Sequence, residues 1–328
     1  MPCLASLVGC TGAGKTAVAL EVVRLLRHAG RSPQETTAIE IVSADSRQVY
    51  RGLDVGTAKP TPAERAQCPH HLVDVVGPEE TYTAARYGRE ARAAFEEIRG
   101  RGAVPFLVGG SGLYVRAAEE GLFEGPAADD ALRGRLAAEA KEKGAAALHA
   151  RLAEVDPETA KRLHPRDKVR VIRALEVWES TGVAISEHHR RHREAAPAFQ
   201  WLRFGVQWPV AALDARIAAR AEAMLAGGWV EEVERLRVEG VSEHAPGMNA
   251  VGYPEVAALA AGKLSRGEAL AAIVRATRQF AKRQRTWFRA VPEIEWLRVE
   301  REEDLPVAAA RVAEAMREQV SREGAFGE

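Results

Sequence analysis

The chain of 328 residues has only three cysteines, Cys3, Cys10 and Cys68, in no paired or C-x-x-C spacing. Neither a disulfide framework nor a zinc site is implied, and a reducing cytoplasm is the expected compartment. No apolar run approaches the roughly 20 residues of a membrane span, and a glycine-rich loop that begins at Gly9 leaves no room for a signal peptide. Formal net charge is zero, from 46 basic and 46 acidic residues, so affinity for a polyanion has to come from local patches. There are no internal repeats and no low-complexity tracts. Two signatures of nucleotide enzymes are missing as well. No Asn-Lys-x-Asp guanine-reading motif occurs, and the apolar strand expected over 104–108 runs into Gly109-Gly110-Ser111-Gly112, without the metal-binding aspartate that phosphoryl-transfer enzymes place there.

What is present starts at residues 9–16, Gly-Cys-Thr-Gly-Ala-Gly-Lys-Thr, between an apolar run at 4–8 and a helical pattern at 17–26. That is a phosphate-cradling loop in its strand–loop–helix context. The backbone of Gly9, Thr11, Gly12, Ala13 and Gly14 can turn its N–H groups on an anion, Lys15 adds a point charge, and the Thr16 hydroxyl can ligate Mg²⁺. The loop does not say which polyphosphate is held. Asp74, within Leu72-Val73-Asp74-Val75-Val76, is either a substitute metal ligand or a turn residue at a strand end.

A third strand, 39–43, leads into a long motif that starts Asp45-Ser46-Arg47-Gln48-Val49-Tyr50-Arg51-Gly52 and ends Gly56-Thr57-Ala58-Lys59-Pro60. Together with the glycine loop, His70-His71-Leu72-Val73-Asp74, residues 108–114, Arg173-Ala174-Leu175-Glu176-Val177 and residues 277–284, it resembles the bacterial tRNA dimethylallyltransferases over residues 4–297. The resemblance implies transfer of a dimethylallyl group from dimethylallyl diphosphate to N6 of adenosine 37, beside the anticodon. The phosphate loop would then hold a diphosphate leaving group.

The residues suit that chemistry. Adenine N6 is a poor nucleophile, because its lone pair is delocalised into the ring, and it needs a base within hydrogen-bond reach. Asp45, at a strand's carboxyl edge beside the loop, is the candidate base; an Asx-turn residue or a metal ligand is the alternative. Ser111 is the candidate hydroxyl for the leaving diphosphate, standing where the family usually has threonine. The family's Arg-Ile-x-x-Arg helix matches Arg216 to Arg220, and its diphosphate contact falls on Arg220, with Arg216 the weaker candidate. Cys10 replaces the family's loop proline and reads as a small filler.

On a helix over 275–289, Arg275, Arg278, Lys282, Arg285 and Arg289 form one uninterrupted basic stripe, with Ile273, Phe280, Gln284 and Trp287 opposite. That pattern suits nucleic-acid phosphates better than a solvated face, which would mix signs. Arg170 and Arg173, one helical turn apart, make a second patch. His188 and His192 have ligand spacing, but their basic neighbours, Arg190, Arg191 and Arg193, favour an RNA-facing or irregular segment. The candidate contacts for the anticodon stem-loop of tRNA are Asp45, Ser46, Arg47, Gln48, Arg170, Arg173, Tyr253, Arg278, Lys282, Arg283, Gln284 and Arg285. Gln48 is either a reader of the adenine edge or a loop-stabilising amide, and Tyr253 is an aromatic near the entry.

Gly125-Pro126 and Ala196-Pro197 bracket a helix-rich stretch. The expected fold is therefore α/β: a P-loop NTPase-like core, 1–125 and 196–328, with a parallel sheet flanked by helices, and an α-helical insertion, 126–195, that contacts tRNA. The chain is expected to act as a monomer, and residues 321–328 to be disordered. A P-loop kinase, an enzyme that prenylates free adenine nucleotides, and a non-catalytic RNA-binding protein are the other readings.

Overall fold

The structure is a computed structural model that describes residues 2–27, 38–123, 125–126, 129–194 and 198–324. The chain divides into two compact units, Met1–Gly121 with Ala198–Glu328, and Leu122–Pro197. In the first unit the elements up to the break are β1 (Cys3–Gly9), α1 (Lys15–Arg27), β2 (Ile39–Ala44), α2 (Pro62–Arg65), β3 (His70–His71), α3 (Ala84–Gly100), β4 (Val104–Gly109) and α4 (Gly112–Glu119). The second unit consists of α5 (Asp130–Glu142), α6 (Ala145–Val155), α7 (Pro157–Arg162), α8 (Lys168–Thr181) and α9 (Ile185–Glu194). The first unit resumes with β5 (Gln200–Gln207), α10 (Val210–Ala226), α11 (Trp229–Val238), α12 (Tyr253–Ala260), α13 (Arg266–Arg289), β6 (Ile294–Arg298) and α14 (Leu305–Gly324).

The first strands are mostly apolar and buried along their length, as strands covered on both faces are, with Ser6, Glu40 and Ser43 as buried polar exceptions. Every residue of β2 is buried, and so are the last six of β1. They form a parallel sheet in the order β3-β2-β4-β1-β5-β6. Its core includes Val18, Val22 and Leu26 of α1, Val312 and Met316 of α14, and Phe106 and Phe204 from the sheet. Truncating either phenylalanine to alanine is expected to cost about 3–5 kcal/mol. Parallel crossovers bring the carboxyl ends of the strands to one edge. Val8 pairs with Gly109 and Ala44 also pairs with Gly109, so β1, β4 and β2 end level, side by side. Only glycine fits at 109, where a Cβ would stand 2.2 Å from the Ala44 carbonyl oxygen.

The second unit has its own core around Leu136, Leu148, Leu152, Val171 and Leu175. Asp156 joins two of its helices: Oδ1 accepts the Thr159 N–H at 2.9 Å and Oδ2 that of Ser186 at 3.0 Å.

Strand β3 ends at His71, and residues 72–76 turn away, with Leu72 and Asp74 both at φ 60°, so Asp74 is the turn residue of the two alternatives. Of the tail expected to be disordered, Ser321 to Gly324 extend α14, while 325–328 lie outside the described residues, as does the 196–197 boundary.

Candidate active site

The loop between β1 and α1 takes its shape from glycines at positive φ, Gly12 at 79° and Gly14 at 85°, which residues with a Cβ adopt only under strain. The Trp208 indole N–H fixes it from behind by donating to the Ala13 carbonyl at 2.9 Å. Lys15 Nζ donates to the carbonyls of Gly9 at 3.1 Å and Cys10 at 2.9 Å. Burial lowers the Lys15 ammonium to about 8, against Asp45 and Cys10, which raise it, and with Arg220, which lowers it further. Cys10 is buried with Sγ against the Ala281 carbonyl, and burial raises its thiol pKa, so it fills space.

The loop opens on a cleft of about 1600 Å³, larger than the roughly 300–1,000 Å³ of an ordinary small-molecule site. It has room for more than a diphosphate. Lys15, Thr16, Asp45 and Arg220 all line it. Asp45 makes an Asx turn: Oδ1 accepts the N–H of Arg47 at 2.8 Å and that of Gln48 at 3.4 Å. No hydrogen bond to Oδ2 occurs among the described residues. Arg220 is held below its ordinary pKa by burial and raised by the charge of Asp45, so base candidate and cation share one field. Its neighbour Arg216 has another task. It donates to the Gly12 carbonyl at 2.8 Å, lies 4.2 Å over the Trp208 ring and pairs with Glu302.

Several expected contacts are otherwise engaged. The Ser111 hydroxyl accepts the Ser46 N–H at 2.9 Å and donates to Ser46 Oγ at 3.1 Å, so it bridges two loops. Gln48 donates to the carbonyls of Thr57 and Ala58 at 3.3 and 3.1 Å and accepts from Ser43 Oγ, which is the loop-stabilising alternative. Tyr253 is fully buried, its hydroxyl donating to Glu232 at 2.6 Å, and so is no aromatic at the entry. Gln284 is also buried, lining the cleft with its amide engaged by the loops at Thr11 and Gly110. Asp74 is not free for a metal: its carboxylate takes Lys59 at 2.6 Å and Arg65 at 2.7 Å. Among the described residues no cluster of His, Cys, Asp or Glu could hold a metal by itself.

The basic stripe is on α13, with Arg275, Arg278, Lys282 and Arg289 exposed and Arg285 half-buried, while Ala269, Ile273, Ala281, Gln284 and Phe288 face inward. Ser265 and Glu268 start this helix with a reciprocal capping box. Arg278 pairs with Asp214 at 3.3 Å, and Arg283 and Arg47 line the cleft. In the second unit Arg170 is exposed, whereas Arg173 pairs with the buried Glu176 at 2.8 Å. His188 stacks on Phe123 at 5.3 Å.

Sequence reasoning missed Glu232. This buried carboxylate accepts the N–H groups of Asp54 and Val55 at 2.7 Å and Gly56 at 3.3 Å, in addition to the Tyr253 hydroxyl. It thereby fixes the loop whose carbonyls hold Gln48. Trp229 closes the same corner, with Gly56 and Gly252 so near that a Cβ on either would stand 2.1 or 2.2 Å from its ring. A glutamate in the first turn of a helix usually marks a solvated N-terminus, and nothing in the sequence singles this one out.

The model of the IPP transferase family matches residues 48–291. The chain belongs to that family. It is 46% identical over 294 residues to a tRNA dimethylallyltransferase of Geobacter sulfurreducens, covering 90% of this chain and 91% of that one. The crystal structure of the full-length tRNA isopentenylpyrophosphate transferase from Bacillus halodurans superposes with a TM-score of 0.68 at 32% identity, covering 99% of this chain and 100% of that one. A eukaryotic dimethylallyltransferase acting on tRNA, 23% identical, shares the fold with a TM-score of 0.81, covering 98% of this chain and 80% of that one. As in other IPP transferases, the parallel sheet is P-loop NTPase-like.

Proposed function

We propose that the chain transfers the dimethylallyl group of dimethylallyl diphosphate to N6 of adenosine 37 in tRNA, releasing diphosphate. The observation that carries this reading is the placing of Asp45, with one carboxylate oxygen unpartnered among the described residues, in the same cleft as the phosphate loop, Lys15 and Arg220. The amides of Gly12, Gly14, Lys15 and Thr16 receive the diphosphate, that of Ala13 being taken by the Cys10 carbonyl at 3.2 Å. N6 attacks the first carbon of the prenyl group, the carbon–oxygen bond breaks with its electrons on the diphosphate, and Asp45 Oδ2 takes the N6 proton. Lys15 and Arg220 neutralise the charge that develops on the leaving oxygen.

The Thr16 hydroxyl lines the cleft, and this single oxygen donor suits Mg²⁺, which is held by few protein ligands and by substrate phosphates. When bound there, Mg²⁺ adds positive charge against the leaving diphosphate.

The acceptor is an RNA: the stripe on α13 and Arg170 of the second unit contact phosphates, while the adenine is extruded to reach a recessed cleft. Arg47 and Arg283 stand along its path. The acting unit proposed is the monomer. Parallel incubation of labelled dimethylallyl diphosphate with unmodified tRNA and with free AMP tests the proposal: label is expected in tRNA, and equal labelling of AMP would instead assign the chain to nucleotide prenylation.

A further inference from the structure

Three neighbouring strands deliver the reacting parts. Strand β1 leads into the phosphate loop, β4 into Gly110 and Ser111, and β2 into Asp45. Two side chains strap these loops together. Gln284, 7% exposed, reaches out of α13 between the first two, where Oε1 accepts the Thr11 N–H at 2.9 Å and Nε2 donates to the Gly110 carbonyl at 2.9 Å. The next residue reaches the third loop: Ser111 Oγ accepts the N–H of Ser46, directly after Asp45, at 2.9 Å. An amide is the side chain that offers one acceptor and one donor at once, as this position requires. The fit leaves no slack, since a Cβ at Gly110 would lie 2.6 Å from Gln284 Nε2.

We propose that Gln284 is a positioning residue for the transfer reaction, a claim that rests on the prenyl-transfer reading above. Through Gly110, Ser111 and Ser46, it sets the distance between the diphosphate and the Asp45 carboxylate. The Thr11 N–H, expected from the sequence to turn on the anion, is taken by Gln284 instead, and the amides from Gly12 onward receive the diphosphate, so the strap governs alignment and not donor affinity. A displacement of about 1 Å between reacting groups is enough to cost about a hundredfold in rate.

The experiment compares wild type with Gln284→Met, which keeps length and removes both hydrogen bonds, in single-turnover rate at saturating dimethylallyl diphosphate and tRNA. Affinities for inorganic diphosphate and for tRNA are measured alongside. The rate is expected to fall about 10- to 100-fold with both affinities within about threefold of wild type. In an Asp45→Asn background, the same substitution is expected to cost less than about threefold, because a base that is gone cannot be misaligned. An unchanged rate, a parallel loss of diphosphate affinity, or a full additive loss in the Asp45→Asn background overturns the proposal. Should Gln284→Met fail to fold, Gln284→Glu, which keeps the Thr11 bond and loses the donor to Gly110, is judged by the same criteria. Failure of the wild type to label tRNA would refute the transfer reading itself, whereas a labelling wild type with an unaffected Gln284→Met variant refutes only the strap.

Discussion

Asp45, which lines the cleft, accepts the backbone N–H of Arg47 through Oδ1 at 2.8 Å, and Oδ2 takes no hydrogen bond among the described residues. Turn-former and base therefore coexist in one carboxylate. Asparagine keeps the turn through its carbonyl oxygen and presents an NH₂ that cannot take a proton. Asp45→Asn should lower single-turnover transfer by ~10² or more, as loss of a general base does, with tRNA and diphosphate affinities near wild type. Near-full turnover in that variant removes Asp45 from the chemistry.

Lys15 sets a pH dependence. Its ammonium, lowered by burial to about 8, rises when a diphosphate anion binds beside it. The part of diphosphate affinity that Lys15 supplies should therefore be constant below about 8 and fade above it, with proton uptake at Lys15 on binding. Calorimetric titration across that range in two buffers of different ionisation enthalpy measures both effects, and Lys15→Ala should leave only the pH dependence of the anion's own titration. The unliganded fold responds in the opposite sense. Between about 8 and the unperturbed value of 10.5 the unfolded chain binds more protons at Lys15, so this group makes the fold more stable as pH rises.

Glu232 supports the site from below. Glu232→Ala leaves the N–H groups of Asp54, Val55 and Gly56 and the buried Tyr253 hydroxyl without their acceptor. A loss of about 3 kcal/mol in denaturant unfolding is expected, with Glu232→Gln milder. A change under about 0.5 kcal/mol would mean that the loop is held elsewhere.

The α13 stripe predicts salt dependence. Arg275 and Lys282 are exposed, and replacing both with alanine should flatten the log–log salt slope of tRNA affinity by up to about two units. Diphosphate affinity should not move. Equal slopes would make the stripe a solvated surface.

The parallel core, the phosphate loop and the register of α13 could be read from the sequence, because glycine spacing, short apolar runs and the 3.6-residue period are local signals. The sequence also put Gln284 on the face of α13 away from the stripe, yet its partners, Thr11 and Gly110, lie 273 and 174 residues away. No local pattern encodes such contacts. Arg216 and Arg220 share a helix face one turn apart, and only tertiary packing gives the first to Gly12 and the second to the neighbourhood of Asp45 and Lys15. Tyr253 misled for a related reason: an aromatic beside Gly252 reads as exposed turn chemistry, whereas the missing Cβ there makes room for Trp229.

The most direct measurement is nucleoside mass analysis of unmodified tRNA after incubation with dimethylallyl diphosphate, Mg²⁺ and the protein, with released diphosphate counted in parallel. The account predicts one dimethylallyl group on N6 of adenosine 37 per diphosphate released, and loss of both signals in Asp45→Asn. Diphosphate release without labelled RNA, label on another nucleoside, or undiminished labelling by Asp45→Asn would contradict it.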